Sequence, residues 1–307
     1  MKQKIGVGTA HGKIILIGEH SVVYNQPAIA IPFKEVKVIT TITESHQLSV
    51  DCLYHQGALE DGPAALNNLK VVVNEVCRRL NQPTTFHIHI ASTIPQERGM
   101  GSSAAVANAT IAAIYDYFQV ALDDATRFEL VQVSETIAHG NPSGLDAKVT
   151  ISNQPIYFIK NERLEPFDIN YRGYLVIADT GQKGQTLKAV SALRVKKNND
   201  PHWVNQLITN QGQLSNSVKE ALSNNDAISL GYYLDQAHSN LVDMGVSSYS
   251  LNHLVSVAKQ WGALGSKLTG GGWGGCMFAL VDDIIKAQSL QEILVANKAT
   301  QTWVLAL

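Results

Sequence analysis

The hydrophobic pattern of the first hundred residues predicts a sheet with a helix on it. Short apolar runs at 13–17 and 28–33 are typical of buried strands. The segments 36–43 and 86–95 alternate between apolar and polar positions, as half-buried strands do. The segment 65–80 has helical spacing instead, with a single apolar stripe. That stripe consists of Leu66, Leu69, Val73, Val76 and Leu80.

Two further helices are predicted after residue 100. The segment 104–118 is rich in alanine, the residue with the highest helix propensity. The segment 125–139 has helical spacing and ends at Gly140, which suits a C-terminal cap. Turn-forming residues at 141–148 follow, so we expect the chain to reverse its direction there.

The length and the pattern together predict two domains that mix strands and helices. A chain of 307 residues is long enough for about two domains, each with its own core. A polar stretch at 161–173 separates two strand-like runs, and residues 184–262 beyond it have mostly helical spacing. We therefore place the boundary near residue 170, with domains at 1–170 and 171–307.

Composition and charge exclude several classes of protein. Hydrophobic residues make up 45% and charged residues 16% of the chain, as in an ordinary globular protein. The formal net charge of -2 gives no broad field that would attract nucleic acid or an anionic membrane. No apolar stretch approaches the roughly 20 residues of a membrane-spanning helix, and the start of the chain does not resemble a signal peptide. Cys52, Cys77 and Cys276 form no CxxC pair, so we expect a reduced, cytoplasmic protein.

Residues 95–105 (PQERGMGSSAA) form the most informative motif. A glycine-serine loop leads here from a predicted strand into a predicted helix. The N–H groups at the start of a helix have no intrahelical partner, and glycines let an anion approach them, so the motif suits a phosphate group. The alternative is a plain helix start in which Ser102 or Ser103 is the N-cap. The loop alone favours neither interpretation.

Two other glycine-rich segments fail as nucleotide motifs. Residues 6–13 (GVGTAHGK) approach a Walker A loop, but five residues rather than four separate the outer glycines, and Ile14 replaces the Ser or Thr. Residues 270–275 (GGGWGG) match GxGxxG, yet a strand-like run follows where a helix is needed. We interpret this second segment as a tight turn between two strands, either structural or next to a substrate.

Charged residues next to apolar or turn segments are the candidates for catalysis. Phosphoryl transfer needs cations, oxygen ligands for magnesium and a group that accepts the proton of the attacking hydroxyl. Glu135 lies in a predicted helix and Asp146 follows the next turn, so one carboxylate is available for magnesium and the other for the proton. In the alternative, which this segment alone favours, Glu135 is a solvated helix residue and Asp146 caps the next element. Lys13 is the first residue of a predicted apolar strand and lies either at a cleft or at the solvated end of the strand. Glu19 and His20, which follow this strand, form a second polar cluster.

Four segments resemble the motifs of the GHMP kinase family. Residues 11–32 are similar to the first motif of that family, 94–109 to the second, which binds the ATP phosphates, and 266–276 to the third. Residues 135–150 contain the string HGNPSGLD, which is specific to the mevalonate kinase branch. The resemblance covers almost the whole chain, from residue 10 to 276.

The resemblance implies a fold and an activity. The fold would be α+β with two domains, the first ribosomal-protein-S5-domain-2-like and the second ferredoxin-like, with the active site in the cleft between them. The activity would be phosphorylation of the C5 hydroxyl of mevalonate to 5-phosphomevalonate with ATP and Mg2+, an early step of isoprenoid synthesis. Alternatives are another GHMP enzyme, such as phosphomevalonate kinase, galactokinase or homoserine kinase, and an inactive relative that senses a ligand. Both a monomer and a homodimer remain open.

The resemblance also implies catalytic and cofactor roles for single residues. Asp146 would accept the proton of the attacking hydroxyl, and Lys13 would lie near both and stabilise negative charge. Ser103 and Glu135 would coordinate the magnesium ion that bridges the ATP phosphates. The residues that would cradle these phosphates are Gly99, Met100, Gly101, Ser102, Ser103 and Ala104.

Substrate binding is implied in the same way. Glu19 and His20 would hold mevalonate, whose carboxylate needs a donor, and Thr180 is a weaker candidate for the same site. The chain departs from the family motifs at Gln96, Glu97, Arg98, His11 and Trp273. A tryptophan ring at position 273 is large enough to narrow the site or to cover a bound ligand. None of these departures removes a group that the chemistry requires.

Overall fold

The computed structural model describes residues 4–140 and 142–307. The strands within these residues are β1 Ile5–Ile17, β2 Ala28–Glu44, β3 Ser49–Cys52, β4 His55–Ala58, β5 Phe86–Ser92, β6 Ile156–Ile159, β7 Arg163–Pro166, β8 Tyr174–Asp179, β9 Gly265–Thr269, β10 Cys276–Val281 and β11 Gln301–Ala306. The helices are α1 Asn67–Leu80, α2 Ser102–Phe118, α3 Asp124–His139, α4 Leu145–Val149, α5 Thr186–Asn199, α6 Pro201–Ser223, α7 Ala227–Met244, α8 Tyr249–Gln260 and α9 Ile284–Ala296. None of these described helices combines the length and the apolar character that crossing a membrane requires.

The chain divides into two compact units that exchange segments. Unit 1 contains the chain up to Lys13, Pro32–Pro95 and Gly101–Asn153, and unit 2 contains Ile14–Ile31, Gln96–Met100 and Gln154–Leu307. The long strands β1 and β2 therefore contribute residues to both units. A hydrophobicity pattern does not reveal such an exchange, and the boundary near residue 170 stays a prediction.

Unit 1 combines a sheet with the helices α1, α2, α3 and α4. The strand order is β4-β3-β5-β2, and β1 also pairs with β2. Strand β2 is antiparallel to β5, with Val38 opposite Ser92, whereas β3 is parallel to β5. Helices α1, α2 and α3 pack against one another. The apolar stripe predicted for α1 is confirmed, since Leu69, Val73 and Val76 are buried.

Close packing between β1 and α2 explains the first glycine-rich segment. A Cβ atom at Gly6 would lie 2.4 Å from the Ala113 carbonyl oxygen, and one at Gly8 would lie 2.1 Å from the Ala109 carbonyl oxygen. The strand can approach the helix this closely only because both residues lack a side chain. The segment 6–13 is thus part of a strand, which agrees with the rejection of a Walker A loop.

Three local predictions are corrected by the structure. The apolar run at 13–17 is the end of a strand of 13 residues, so Lys13 lies inside β1 and not at its start. The two runs predicted next form one continuous strand, β2, because the exposed residues between them do not interrupt the extended backbone. The predicted turn after Gly140 contains α4, whose N-cap is Gly144 with φ 90°.

Unit 2 is built on an antiparallel sheet covered by helices. The strand order is β11-β8-β10-β9. Every residue of β9 and β10 is buried, since α7, α8 and α9 pack against these strands. Helices α5 to α8 confirm the helical region predicted at 184–262. Three of its helix starts have a side-chain cap, from Asp200, Asp226 and Ser248.

Candidate active site

A lysine–carboxylate pair in unit 1 is the first element of the site. Lys13 Nζ lies 3.0 Å from Asp146 Oδ1. The Lys13 side chain is 3% exposed and that of Asp146 is 35% exposed, so the cation has lost its water while the carboxylate keeps an open side. An ammonium group held in this way stabilises nearby negative charge, and a partly open carboxylate can accept a proton. Asp146 is not a helix cap, because Gly144 occupies that position and Asp146 lies in the first turn of α4.

The glycine-serine loop ends at the start of α2. Gly101 is the N-cap, with φ 72°, and no side chain caps this helix. The alternative in which Ser102 or Ser103 is the N-cap is therefore wrong, and both serines lie in the first turn, where N–H groups lack an intrahelical acceptor. A Cβ atom at position 101 would lie 2.9 Å from Lys13 Cγ, so glycine is needed for its conformation and for its contact. The N–H groups at the start of α2 consequently lie beside Lys13.

Asn68 connects the start of α2 with the helix that carries Glu135. Its Nδ2 donates to Ser103 Oγ at 3.2 Å and to Ser134 Oγ at 3.1 Å. Glu135 follows in α3 and is 3% exposed. Hydroxyl and carboxylate oxygens are hard ligands, the type that Mg2+ prefers. The Ser103 hydroxyl and the Glu135 carboxylate are donors of this type. The described residues contain no group of three or more His, Cys, Asp or Glu side chains that could hold a metal by itself.

A second lysine–carboxylate pair lies in unit 2 and is fully buried. Lys267 Nζ donates to Glu19 Oε1 and, at 2.6 Å, to the Leu268 carbonyl oxygen. The two side chains are 0% and 1% exposed. Burial lowers the pKa of Lys267, and the neighbouring Glu19 carboxylate opposes that effect. The pair fixes the Glu19 side chain directly after β1.

His20 is held next to this buried pair. Its φ of 63° is uncommon for a residue other than glycine. Its Nε2 lies 3.1 Å from the Gly271 carbonyl oxygen, and its Nδ1 is buried with no hydrogen-bond partner among the described residues. Burial, together with the charge of Lys267, lowers the pKa of His20 to about 4. A neutral ring that donates Nε2–H to Gly271 leaves Nδ1 as a buried acceptor.

Arg98, one of the departures from the family motif, has a structural role. Its Nε lies 2.8 and 2.9 Å from the two carboxylate oxygens of Asp179, and its Nη2 donates to the Gly181 carbonyl oxygen at 3.0 Å. Thr180, which follows Asp179 in the chain, donates its hydroxyl proton to the Gly275 carbonyl oxygen at 2.7 Å. Charge-assisted bonds of the Arg–carboxylate kind are among the strongest in proteins. They fasten the loop of Arg98 to the end of β8.

Trp273 does not stand free beside the glycine-rich turn. Its indole Nε1 donates to the Gly245 carbonyl oxygen at 2.8 Å. The ring also packs against the apolar core of unit 2. These contacts anchor the turn between β9 and β10.

Lys267 and Asn68 are two residues of these clusters that the sequence pattern did not predict. The signal for Lys267 was available, because a lysine inside an apolar strand next to a glycine-rich segment is the same feature that singled out Lys13. Asn68 carried no such signal, since an amide side chain near the start of an amphipathic helix is common. Its role depends on two hydroxyl groups that other helices supply.

Two family descriptions match the chain. The GHMP kinases N terminal domain matches residues 67–153, and the GHMP kinases C terminal family matches residues 218–299. A mevalonate kinase from Thermococcus sibiricus is 31% identical, over 90% of this chain and 89% of that protein. A mevalonate kinase from Pyrococcus furiosus is also 31% identical, over 89% of this chain and 88% of that protein.

Solved structures agree with these relatives. Mevalonate kinase from methicillin-resistant Staphylococcus aureus is 29% identical, with a TM-score of 0.73 over 98% of each chain. L. major mevalonate kinase in complex with R-mevalonate has a TM-score of 0.83 over 99% of this chain and 95% of that chain, and its 24% identity shows the fold alone. With both GHMP kinase domains and relatives at 31% identity over 89% and 90% of its length, this chain belongs to the GHMP kinase family, alongside the mevalonate kinases.

Proposed function

We propose that this chain transfers the γ-phosphoryl group of ATP to the C5 hydroxyl of mevalonate, giving 5-phosphomevalonate and ADP. The observation that carries the proposal is the pairing of Lys13 with the partly open carboxylate of Asp146. The GHMP kinase domains support the use of ATP, and the names of the relatives support mevalonate as the acceptor.

In the proposed step Asp146 accepts the proton of the C5 hydroxyl. The C5 oxygen forms a bond to the γ-phosphorus while the bond from that phosphorus to the β–γ bridging oxygen breaks, and ADP leaves with the electron pair. Lys13 stabilises the negative charge on the attacking oxygen. Transition states of phosphoryl transfer are loose, so positioning and charge neutralisation contribute more to the rate than proton removal.

We assign ATP binding to the loop before α2 and the first turn of that helix. Backbone N–H groups at a helix start bind phosphate, and glycine lets the ligand approach. Ser103 and Glu135 would hold the magnesium ion, which supplies positive charge to the phosphate oxygens when it is bound. The residues proposed for the phosphates are Gly99, Met100, Gly101, Ser102, Ser103 and Ala104.

Glu19 and His20 are proposed for mevalonate. Because Nε2–H of the neutral His20 ring is donated to Gly271, Nδ1 is an acceptor and suits a hydroxyl group of the substrate rather than its carboxylate. Thr180 remains a weaker candidate, since its hydroxyl proton is already donated to Gly275.

A cytoplasmic location and the domain limits 1–170 and 171–307 are part of the proposal. Cys52, Cys77 and Cys276 are free, which suits a reducing compartment. Burial also raises the pKa of Cys77 to about 11, so its thiol stays protonated and unreactive.

A coupled assay of ADP release tests the proposed function. Mevalonate, phosphomevalonate, galactose and homoserine are offered separately with ATP and Mg2+, and we expect ADP with mevalonate alone. Turnover of a different acceptor would assign the chain to another GHMP enzyme. ADP from none of the four, together with measurable ATP binding, would favour a ligand sensor.

A further inference from the structure

A cavity of about 280 Å³ in unit 1 lies outside the residues assigned to phosphoryl transfer. It is lined by residues of β1, β2 and α3 and by the segment that follows α4. Its volume is close to the lower end of the roughly 300–1,000 Å³ that small-molecule sites occupy. The cavity is therefore large enough for a small ligand.

The lining of this cavity is cationic. Lys34, Lys37 and Arg127 contribute to it, and none of the lining residues is Asp or Glu. Among the described residues, none of these three cations forms an ion pair with a carboxylate, whereas Lys13 and Arg79 in the same unit do. Three unpaired cations around one cavity attract an anion.

Arg127 shows why an anion would be favourable. Its Nε donates to Asn108 Oδ1 and its Nη2 donates to the Thr9 carbonyl oxygen at 3.3 Å, and both acceptors are neutral. Burial lowers the pKa of Arg127, although the charge of Asp124 opposes the effect. A partly buried guanidinium that forms no direct ion pair carries a desolvation cost that a bound anion offsets.

We propose that this cavity binds a small phosphate-bearing anion. The planar guanidinium of Arg127 is the donor that fits phosphate oxygens, and Lys34 and Lys37 supply the surrounding positive charge. His11 forms part of the wall and not of the ligand shell, because its two ring nitrogens face the carbonyl oxygens of Gly12 and Ser152 at 2.8 and 2.9 Å.

The test has to measure binding rather than turnover. Asn108, which accepts from Arg127, donates to the Thr150 carbonyl oxygen at 2.7 Å, and Thr150 Oγ1 donates to the Asp146 carbonyl oxygen at 3.0 Å. A change at Arg127 therefore reaches the backbone of Asp146 through two hydrogen-bonded residues. Loss of activity alone would not separate an empty anion site from a displaced carboxylate.

Calorimetric titration of the whole protein with inorganic diphosphate provides this measurement. A non-hydrolysable ATP analogue in excess fills the proposed ATP site, and Mg2+ is left out because it binds diphosphate. We expect one further equivalent of diphosphate to bind to the wild type. Arg127→Gln should weaken this binding about tenfold or more, as the loss of a charge-assisted pair does, and Lys37→Met should weaken it less.

Matched variants make the outcome decisive. Lys188→Gln removes one exposed lysine in α5, outside the cavity, and should leave the affinity unchanged. No binding in the presence of the ATP analogue, equal binding to Arg127→Gln, or equal weakening by Lys188→Gln would overturn the proposal. Urea unfolding of Arg127→Gln checks its fold, and Lys37→Met, at an exposed position, gives an independent test. Orthophosphate and glycerol 3-phosphate as further probes separate an inorganic anion from a phosphorylated metabolite as the ligand.

Discussion

The two lysine–carboxylate pairs of this chain have the same chemical groups and different surroundings. In unit 1, Asp146 is 35% exposed beside Lys13. In unit 2, Glu19 is 1% exposed beside Lys267, which is itself fully buried. A carboxylate with an open side can exchange a proton with a substrate, whereas a sealed one mainly fixes geometry. Exposure of the acidic partner therefore separates a reactive pair from a positioning pair.

The lysines of the two pairs differ in the consequence of their removal. Removal of one partner of a buried pair leaves an uncompensated charge in the interior. Removal of the partner of a half-open pair lets water solvate the remaining carboxylate. The first pair should thus matter mainly for turnover. The second should matter for stability and for the position of Glu19, which is proposed for substrate binding.

The largest effect is expected for Asp146→Asn. Asparagine keeps the shape of the side chain but accepts no proton, and proton transfer to a positioned group contributes roughly 10²–10⁴-fold to a rate. Turnover should fall by about that factor, while the affinity for ATP stays nearly unchanged. Steady-state kinetics and calorimetric titration with an ATP analogue measure the two quantities. Near-normal turnover would show that Asp146 is not the base.

Stability should respond more to the second pair. Lys267→Met leaves the Glu19 carboxylate buried without its cation and should lower the free energy of unfolding by about 3–5 kcal/mol. Lys13→Met should cost much less, because Asp146 is open to water. Urea unfolding of both variants measures the difference. A double variant, Lys267→Met with Glu19→Gln, should recover part of the loss, and equal destabilisation by the two single lysine variants would contradict the comparison.

A smaller effect is expected for Ser103→Ala. If Ser103 is a magnesium ligand, its loss should raise the Mg2+ concentration for half-maximal turnover by about tenfold, which corresponds to roughly 1.4 kcal/mol. The lost hydrogen bond from Asn68 should reduce stability by only about 1 kcal/mol. Ser102→Ala removes the neighbouring hydroxyl and is the matched control. The same magnesium dependence in both variants would remove Ser103 from the metal site.

Local features of this fold were accessible from sequence, and long-range ones were not. Helical spacing and alanine content predicted α2 and α3, because these features depend on neighbouring residues alone. The need for a glycine at the N-cap position 101 depends on the space beside Lys13, a contact between distant segments. Motif resemblance brought Lys13 and Asp146 together correctly, whereas their spacing alone did not.

The partnership of Glu19 and Lys267 shows the same limit. These residues are 248 positions apart, and no periodicity connects β1 with β9. The exchange of segments between the units also depends on how long β1 and β2 extend, which short apolar runs do not indicate. A sequence pattern can indicate that a residue is buried or requires a partner, but the identity of that partner depends on the three-dimensional fold.

The effect that is smallest near neutral pH concerns the histidines beside the buried pair. Burial, with the charge of Lys267, lowers the pKa of both His20 and His238 to about 4, against about 6.5 in an unfolded chain. Between these values the unfolded state binds more protons, so the free energy of unfolding should fall as the pH decreases from 6.5 towards 4, by at most about 1.4 kcal/mol per pH unit for each histidine. The contribution of each histidine to the slope is halved near pH 6.5 and is lost about one unit above it.

His238→Gln should therefore reduce the slope of the unfolding free energy against pH, by an amount that corresponds to at most one bound proton. Urea unfolding at several pH values between 4.5 and 7.5, a range chosen to span about one unit above the unfolded value, measures the slope. His46→Gln, at an exposed position, is the control and should leave the slope as in the wild type. An unchanged slope in His238→Gln would mean that the pKa of this histidine is the same in the folded and the unfolded state, so that the folded protein binds this proton below about pH 6.5. Lys267 would then share its buried surroundings with a second cation, and the environment of the Glu19 pair would be more polar than its exposure indicates.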